Sequence, residues 1–320
     1  MHGVLALCCA LLAACAEPPQ APLRVGLNPW IGYDPLVLAR DRGLTDSAVL
    51  RVVELESTSE SIRQMRNGRI EAAGLTLADV AELSTVGFDL KVIGILSHSK
   101  GADAVLARAG IGSVAGLAGM RIGMEDSALS RVMLQRTLAR AGLPRSAVHE
   151  VMLSIVDHAA ALRAGRVDAV ITFEPVRSLL ASEGFPVLLS SADMPGEVID
   201  VLAIRSDVLE ARPQQASALL RAFEQGRRIF ETAPGEAAHE LAASAGLSED
   251  GYLAALGNLR HFTLEQSIET LKQTPQALPL GLTELAEALD ADDRMTVRAD
   301  WTRLFDASVA ERVLAEGNLR

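Results

Sequence analysis

Apolar and polar positions along this chain fall into a pattern that occurs twice. Residues 23–27 form a short apolar run, residues 35–42 have helical spacing, and residues 50–55 form a second run. Residues 59–66 are again helical, and residues 72–75 make a strand of small side chains. Arg24-Val25-Gly26-Leu27-Asn28 returns as Arg121-Ile122-Gly123-Met124-Glu125, ninety-seven positions on. At the same offset Arg66-Asn67-Gly68-Arg69-Ile70-Glu71-Ala72 returns as Arg163-Ala164-Gly165-Arg166-Val167-Asp168-Ala169. Between these segments, residues 50–55 answer to residues 149–154, and Arg42-Gly43-Leu44 to Ala141-Gly142-Leu143, at an offset of ninety-nine. The repeat is too long for a solenoid unit. Strands alternating with short helices predict parallel βαβ units, so the chain is expected to form two Rossmann-like α/β lobes with a cleft between them.

Two crossings should join the lobes. Strand candidates at 90–96 and 103–107 are linked by Ser97-His98-Ser99-Lys100-Gly101-Ala102, and residues 200–205 have the pattern of a returning strand. The expected division is residues 23–101 and 203–320 for lobe I and 102–202 for lobe II. The glycine-rich stretch 110–119 is not a dinucleotide fingerprint, because it precedes its strand instead of following it. Residues 213–232 have helical periodicity with Pro213 in the first turn. The remainder, with breaks at Gly246, Pro275, Pro279 and 290–293, is expected to be mostly helical and to pack on lobe I.

Ligands in such sheets sit outside the carboxyl ends of the parallel strands. That points to residues 28–34 and 75–79 in the first lobe, and to 125–130 and 172–175 in the second. Trp30 and Tyr33 would supply an aromatic wall, with packing onto their own lobe as the competing role. Asn28 and Glu125 occupy equivalent positions in the repeat and should both face the cleft. Ser127 and Ser130 lie where a helix starts, and Thr76 with Asp79 mirrors them; each hydroxyl can cap its helix or meet a ligand. Asp34 precedes Pro35 and is expected to cap a helix. Glu174 precedes Pro175 but is a poor capping residue, which leaves its carboxylate for a ligand, a solvated rim or an interlobe contact. Lys100 and Arg131 are the few cations nearby. Trp301 and Tyr252 are expected to serve helix packing.

Composition narrows the classes. The chain has 320 residues, 49% of them apolar, enough for one large or two medium domains with a substantial core. A net charge of −11, a pI near 5.1 and no basic patch leave no electrostatic basis for a nucleic-acid partner. No G-x-S-x-G, H-E-x-x-H, P-loop or paired-cysteine motif occurs. Ser97-His98-Ser99-Lys100 matches S-x-x-K without its partner motifs. His98, His149, His158, His239 and His261 lack metal-ligand spacing. No cofactor or metal is therefore expected.

Cys8, Cys9 and Cys15, the three cysteines of the chain, all lie in its first fifteen residues. Residues 4–14 are an apolar run too short to span a bilayer, and they end in Leu12-Ala13-Ala14-Cys15. This resembles a bacterial lipobox, although no Lys or Arg precedes Arg24. The resemblance implies a signal peptide over 1–14, a lipid on Cys15 and a periplasmic, membrane-anchored protein; ordinary secretion is the alternative. Residues 15–22, rich in proline, would form an extended tether.

Several segments together resemble the periplasmic solute-binding proteins of the nitrate, sulfonate, taurine and thiamine-pyrimidine-precursor uptake family. They are Asn28-Pro29-Trp30-Ile31-Gly32-Tyr33-Asp34-Pro35-Leu36 with Ala39-Arg40 and Gly43-Leu44, then Gly68-Arg69-Ile70-Glu71-Ala72-Ala73 and Gly101-Ala102-Asp103-Ala104. Gly165-Arg166-Val167-Asp168-Ala169, Glu174-Pro175 and Pro195-Gly196-Glu197-Val198-Ile199-Asp200-Val201 complete the set. The resemblance implies a type II periplasmic-binding (Venus-flytrap) fold that captures a small solute and hands it to an ABC permease. Two alternatives share the fold: an extracytoplasmic sensor, and a biosynthetic enzyme, which would need a reactive histidine or cysteine where the candidate loops offer only His98. Because these loops carry more carboxylates than cations, a small amine or nitrogen heterocycle is favoured over nitrate or an alkylsulfonate.

Overall fold

The computed structural model describes residues 20–273, 282–291 and 298–317. The expected signal peptide, Cys15 and most of the tether lie outside these residues, as do Pro275 and Pro279. Lobe I begins with β1 (Leu23–Leu27), α1 (Asp34–Asp41), β2 (Leu50–Glu54), α2 (Thr58–Arg66), β3 (Ala72–Thr76), α3 (Leu77–Thr85) and β4 (Leu90–Ser99). Lobe II follows with β5 (Asp103–Ala107), β6 (Arg121–Met124), α4 (Ala128–Arg140), β7 (His149–Met152), α5 (Ile155–Arg163), β8 (Ala169–Phe173), α6 (Val176–Ser182) and β9 (Val187–Ser190). The chain returns through β10 (Ile199–Arg205), α7 (Ser206–Ala211), α8 (Pro213–Thr232), α9 (Pro234–Leu241), α10 (Glu249–Leu256) and β11 (Leu259–His261). Helices α11 (Leu264–Lys272), α12 (Leu282–Asp290), α13 (Trp301–Leu304) and α14 (Ser308–Glu316) complete it.

The two sheets share one topology. Lobe I orders its strands β11-β4-β10-β3-β1-β2, and lobe II β7-β6-β8-β5-β9. In each, three strands run parallel, and a strand arriving from the other lobe pairs antiparallel beside the third. Thus β1 and β6 open separate lobes, as the repeat predicts. Strands β3, β5 and β10 are almost wholly apolar because helices cover both faces of the sheet, and they lie in the core.

Ser57, Thr76 and Ser127 cap α2, α3 and α4 by accepting from the backbone N–H three residues on. Pro35 and Pro213 stand in the first turns of α1 and α8, where no N–H is needed. These caps put the start of α2, α3 and α4 at the strand ends, all facing the same gap. Strand β4 runs on to Ser99, so the first crossing is only residues 100–102. The second spans 191–198, and β10 belongs to the first sheet from Ile199, ahead of the expected change of lobe at 202. The crossings are tied together: Ser191 Oγ pairs with Ser99 Oγ at 2.6 Å and accepts the Gly101 N–H at 2.7 Å.

The C-terminal helices do not all stay on lobe I. Helix α8 packs on α1 and α14, but α12 lies against α4 of lobe II as well as α3 of lobe I. Arg136 of α4 donates to the Glu284 carbonyl at 2.8 Å, so this helix spans the two lobes.

Candidate ligand-binding cleft

The strand ends converge on one cavity between the lobes. Asn28, Trp30, Tyr33, Thr58, Thr76, Asp79 and Asp200 line it from lobe I, and Asp103, Glu125, Ser127, Leu129, Ser130, Met133, Ile171, Thr172 and Phe173 from lobe II. The space within these walls is about 440 Å³ including its opening, of which about 30 Å³ is free to the centres of water molecules. The walls therefore stand close together, and the free space holds about two water molecules.

Seven of the nine expected ligand-facing residues meet here: Asn28, Trp30, Tyr33, Thr76, Glu125, Ser127 and Ser130. Lys100 and Glu174 do not line the cavity. Lys100 is exposed on the first crossing, where its backbone N–H donates to the Asn258 carbonyl at 2.7 Å. Glu174 is fully buried and has local work. Its carboxylate accepts from the Ser178 N–H (3.0 Å) and hydroxyl (2.7 Å) at the start of α6, and from Asn258 Nδ2 (3.0 Å) across the lobes. A glutamate before proline does cap a helix here, by reaching four residues along it.

Aromatic surface comes from three side chains. Trp30 and Phe173 meet edge to face across the lobes, with ring centroids 5.8 Å apart and planes at 85°. The indole folds back over Gly32, where a Cβ would come within 2.2 Å of Nε1, so only glycine fits. Tyr33 lies on Gly74 of β3, and its hydroxyl is 3.5 Å from Asp200 Oδ1. Asp34 is not the N-cap of α1, a position held by Tyr33. It accepts the Tyr252 hydroxyl at 2.5 Å, so Tyr252 does more than pack.

Four carboxyls surround the space. Asp79 Oδ2 accepts the Thr76 hydroxyl at 2.5 Å, while Oδ1 crosses the cleft to accept the Ala128 N–H at 2.8 Å. Glu125 Oε1 accepts the Ile155 N–H at 3.3 Å, and Thr58 bonds it from the other lobe. Asp200 Oδ2 accepts the Ser97 hydroxyl at 2.7 Å. Asp103 differs, because its Oδ2 is buried with no hydrogen-bond partner. Thr172 Oγ1 and Trp30 Nε1 are likewise buried without partners, although the indole N–H approaches the Asp200 carboxyl. Unpartnered polar atoms on both sides of one cavity are what a bound polar molecule would satisfy.

Burial governs the electrostatics. It pushes Asp103 up to about 7 against the pull of the Ser99 hydroxyl, with the Glu174 charge adding to it. It raises Glu125 to about 7 against Thr58 and the Ile155 N–H. Asp200 stands well above the usual carboxylate range through burial and the neighbouring Asp103 charge, and burial also raises Asp79. No Lys or Arg is among the described lining residues. Arg131, the other cation considered, is buried behind the wall, paired with Glu82 across the lobes and 3.7 Å from Asp126. Among the described residues no cluster of His, Cys, Asp and Glu is built to hold a metal ion, and no helix is long and apolar enough to cross a membrane.

Asp103 and Asp200, absent from the sequence-based site, carried a usable signal. Each is an acidic residue at the first or second position of a largely apolar, buried strand beside a crossing, and a carboxylate there has to face a cavity or a partner.

The model of the NMT1-like family matches residues 16–246. No curated protein matches the chain. Among solved structures, the alkanesulfonate-binding protein SsuA from Xanthomonas axonopodis pv. citri, bound to MOPS, superposes with a TM-score of 0.75 at 20% identity, over 91% of this chain and 99% of that one. The periplasmic nitrate-binding protein NrtA from Synechocystis PCC 6803 has a TM-score of 0.77 at 11% identity, over 95% and 91%. The desulfurization enzyme DSZB has a TM-score of 0.66 at 17% identity, over 93% and 100%. At these identities the likeness is one of fold: two α/β lobes of the type II periplasmic-binding kind.

Proposed function

This chain belongs to the NMT1-like family, and we propose that it is an extracytoplasmic solute-binding protein that captures a small nitrogen-bearing solute, an amine or a nitrogen heterocycle, and delivers it to an ABC permease. The observation that carries this reading is the lining of the cleft. Carboxyls from both lobes and three aromatic rings surround a narrow space that no described Lys or Arg enters. A protonated nitrogen placed there would meet the free Asp103 oxygen and the faces of Trp30, Tyr33 or Phe173. The crowded carboxyls stand high because the hydrogen bonds they accept do not outweigh their burial, and a cation would add what those bonds lack.

The sulfonate- and nitrate-binding proteins that share the fold make anions the natural competitor. The residues here favour the opposite charge. Thermal unfolding against a panel of amines, aminopyrimidines, taurine, an alkylsulfonate and nitrate tests the reading, since a ligand that binds only the folded state raises Tm. Stabilisation by an amine or aminopyrimidine is expected. A tight nitrate or sulfonate complex would refute the ligand class, and a turnover product with no stabilising solute would replace binding by catalysis. The lipid on Cys15 is part of the same proposal: Cys15→Ser should move the protein from the membrane fraction to the soluble one, and an unchanged membrane fraction would refute it.

A further inference from the structure

The N-terminus of α4 faces the cleft, and a helix N-terminus with free N–H groups is a ready site for an anion. In this chain the place is taken. Asp79 reaches from lobe I and accepts the Ala128 N–H at 2.8 Å, while Ser127 Oγ accepts the Ser130 N–H at 3.2 Å. The Asp79 side chain is fully buried, and the Thr76 hydroxyl on its other oxygen, at 2.5 Å, fixes its direction. The same cavity wall holds Thr172, 1% exposed, whose Oγ1 has no partner. Donors suited to an oxyanion are thus present in the cleft, and a carboxylate of the protein itself stands in front of the best of them.

We propose that Asp79 is a specificity-determining residue: its carboxylate occupies the oxyanion position at the start of α4, so the cleft rejects small anions and accepts solutes of the other charge. The proposal rests on reading the cleft as a solute site. Two effects act together, since the carboxylate fills the space in which an oxyanion would sit and its negative charge repels one. The bond also ties the lobes, because its donor and acceptor lie on opposite sides of the cleft.

Asp79→Ala vacates the position and frees the Ala128 N–H, in a cavity that the unpartnered Thr172 hydroxyl also lines. Titrations of wild type and variant with inorganic sulfate and with methanesulfonate, by calorimetry and by Tm, read the result. The variant is expected to bind at least one of the two roughly tenfold or more tighter than wild type. Asp79→Ser, whose shorter side chain still offers a polar atom to Thr76, undergoes the same test if Asp79→Ala does not fold. Wild type that binds both anions as tightly as the variant overturns the proposal. So does a variant with native circular dichroism and cooperative unfolding that binds neither. A wild type stabilised by no amine would sink the ligand class proposed above while leaving this comparison of anion affinities intact.

Discussion

Arg24 holds Glu71 twice, donating from its backbone N–H at 2.8 Å and from its guanidinium, which also reaches the Gly68 carbonyl at 2.9 Å. Ninety-seven residues on, Arg121 does the same to Asp168 from its backbone at 2.9 Å and its guanidinium at 3.0 Å, and reaches the Gly165 carbonyl at 2.7 Å. Each clamp ties the start of a lobe's first strand to the approach to its third. The Arg24 hydrogen bonds hold Glu71 below the usual carboxylate range against its burial, and those of Arg121 hold Asp168 well below it.

Both carboxylates have folded-state values below their unfolded ones, so the stability they contribute is present above about pH 4 and is lost as pH falls through the folded values. Glu71→Ala and Asp168→Ala should each cost about 1–3 kcal/mol at pH 7, and less at pH 3. Equal losses at both pH values in thermal melts would show that the clamps contribute packing and not charge.

Helix α8 crosses α1 at Gly226, where a Cβ would come within 1.8 Å of the Pro35 carbonyl oxygen. The obstacle is backbone, which cannot swing aside as a side-chain tip can. Gly226→Ala should therefore cost about 3 kcal/mol or more, even though alanine is the better helix former. A variant melting within a degree of wild type would mean that the helices slide apart freely.

The duplication, the strand and helix order within each repeat and both crossings were legible in the sequence because the two lobes repeat the same local spacing of apolar and polar positions, whereas β11 falls in the stretch expected to be mostly helical. Residues 103–107 and 213–232 coincide with β5 and α8 at both ends. Most of the cleft followed from the rule that sites lie beyond parallel strand ends, and that rule failed where tertiary geometry decides. Glu174 stands at such an end but turns back on its own helix and on Asn258. Lys100 points to solvent from a crossing whose backbone, not its side chain, is engaged. Asp103 and Asp200 enter the cleft on strands that cross between lobes and run antiparallel, so a rule for parallel strands passes over them. Helix α12 reaches lobe II through the Glu284 carbonyl, which no side-chain pattern encodes.

Asp34 gives a pH signature of its own. Burial raises its carboxyl to about 7, the Tyr252 hydroxyl opposing and the Glu54 charge adding to it. A carboxyl raised on folding stabilises fully below its unfolded value near pH 4 and loses that contribution as pH rises through about 7. Wild type should therefore lose more stability between pH 5 and pH 8 than Asp34→Asn, which has no proton to release at this position. Parallel Tm curves for the two proteins across that range would sink the assignment.

Asp103 should couple solute capture to protons. Its carboxyl stands at about 7, with Asp200 and Glu174 as carboxyl neighbours and the Ser99 hydroxyl as the donor that opposes burial. A cationic solute bound to its free oxygen needs it ionised, so below pH 7 binding has to displace a proton. The affinity of an amine that stabilises the protein should be nearly constant from pH 8 up to the amine's own pKa and fall as pH drops below 7, approaching tenfold per unit for one displaced proton. Asp103→Asn should lower affinity at pH 8 by about 2 kcal/mol and flatten the profile. Glu125 also stands at about 7, but the Ile155 N–H and Thr58 already bond it, so Glu125→Gln should keep the pH dependence. Calorimetry in two buffers of different ionisation enthalpy would count the protons released at pH 6. A count near zero, or a profile flattened by Glu125→Gln and not by Asp103→Asn, would remove Asp103 as the ligand's counter-charge.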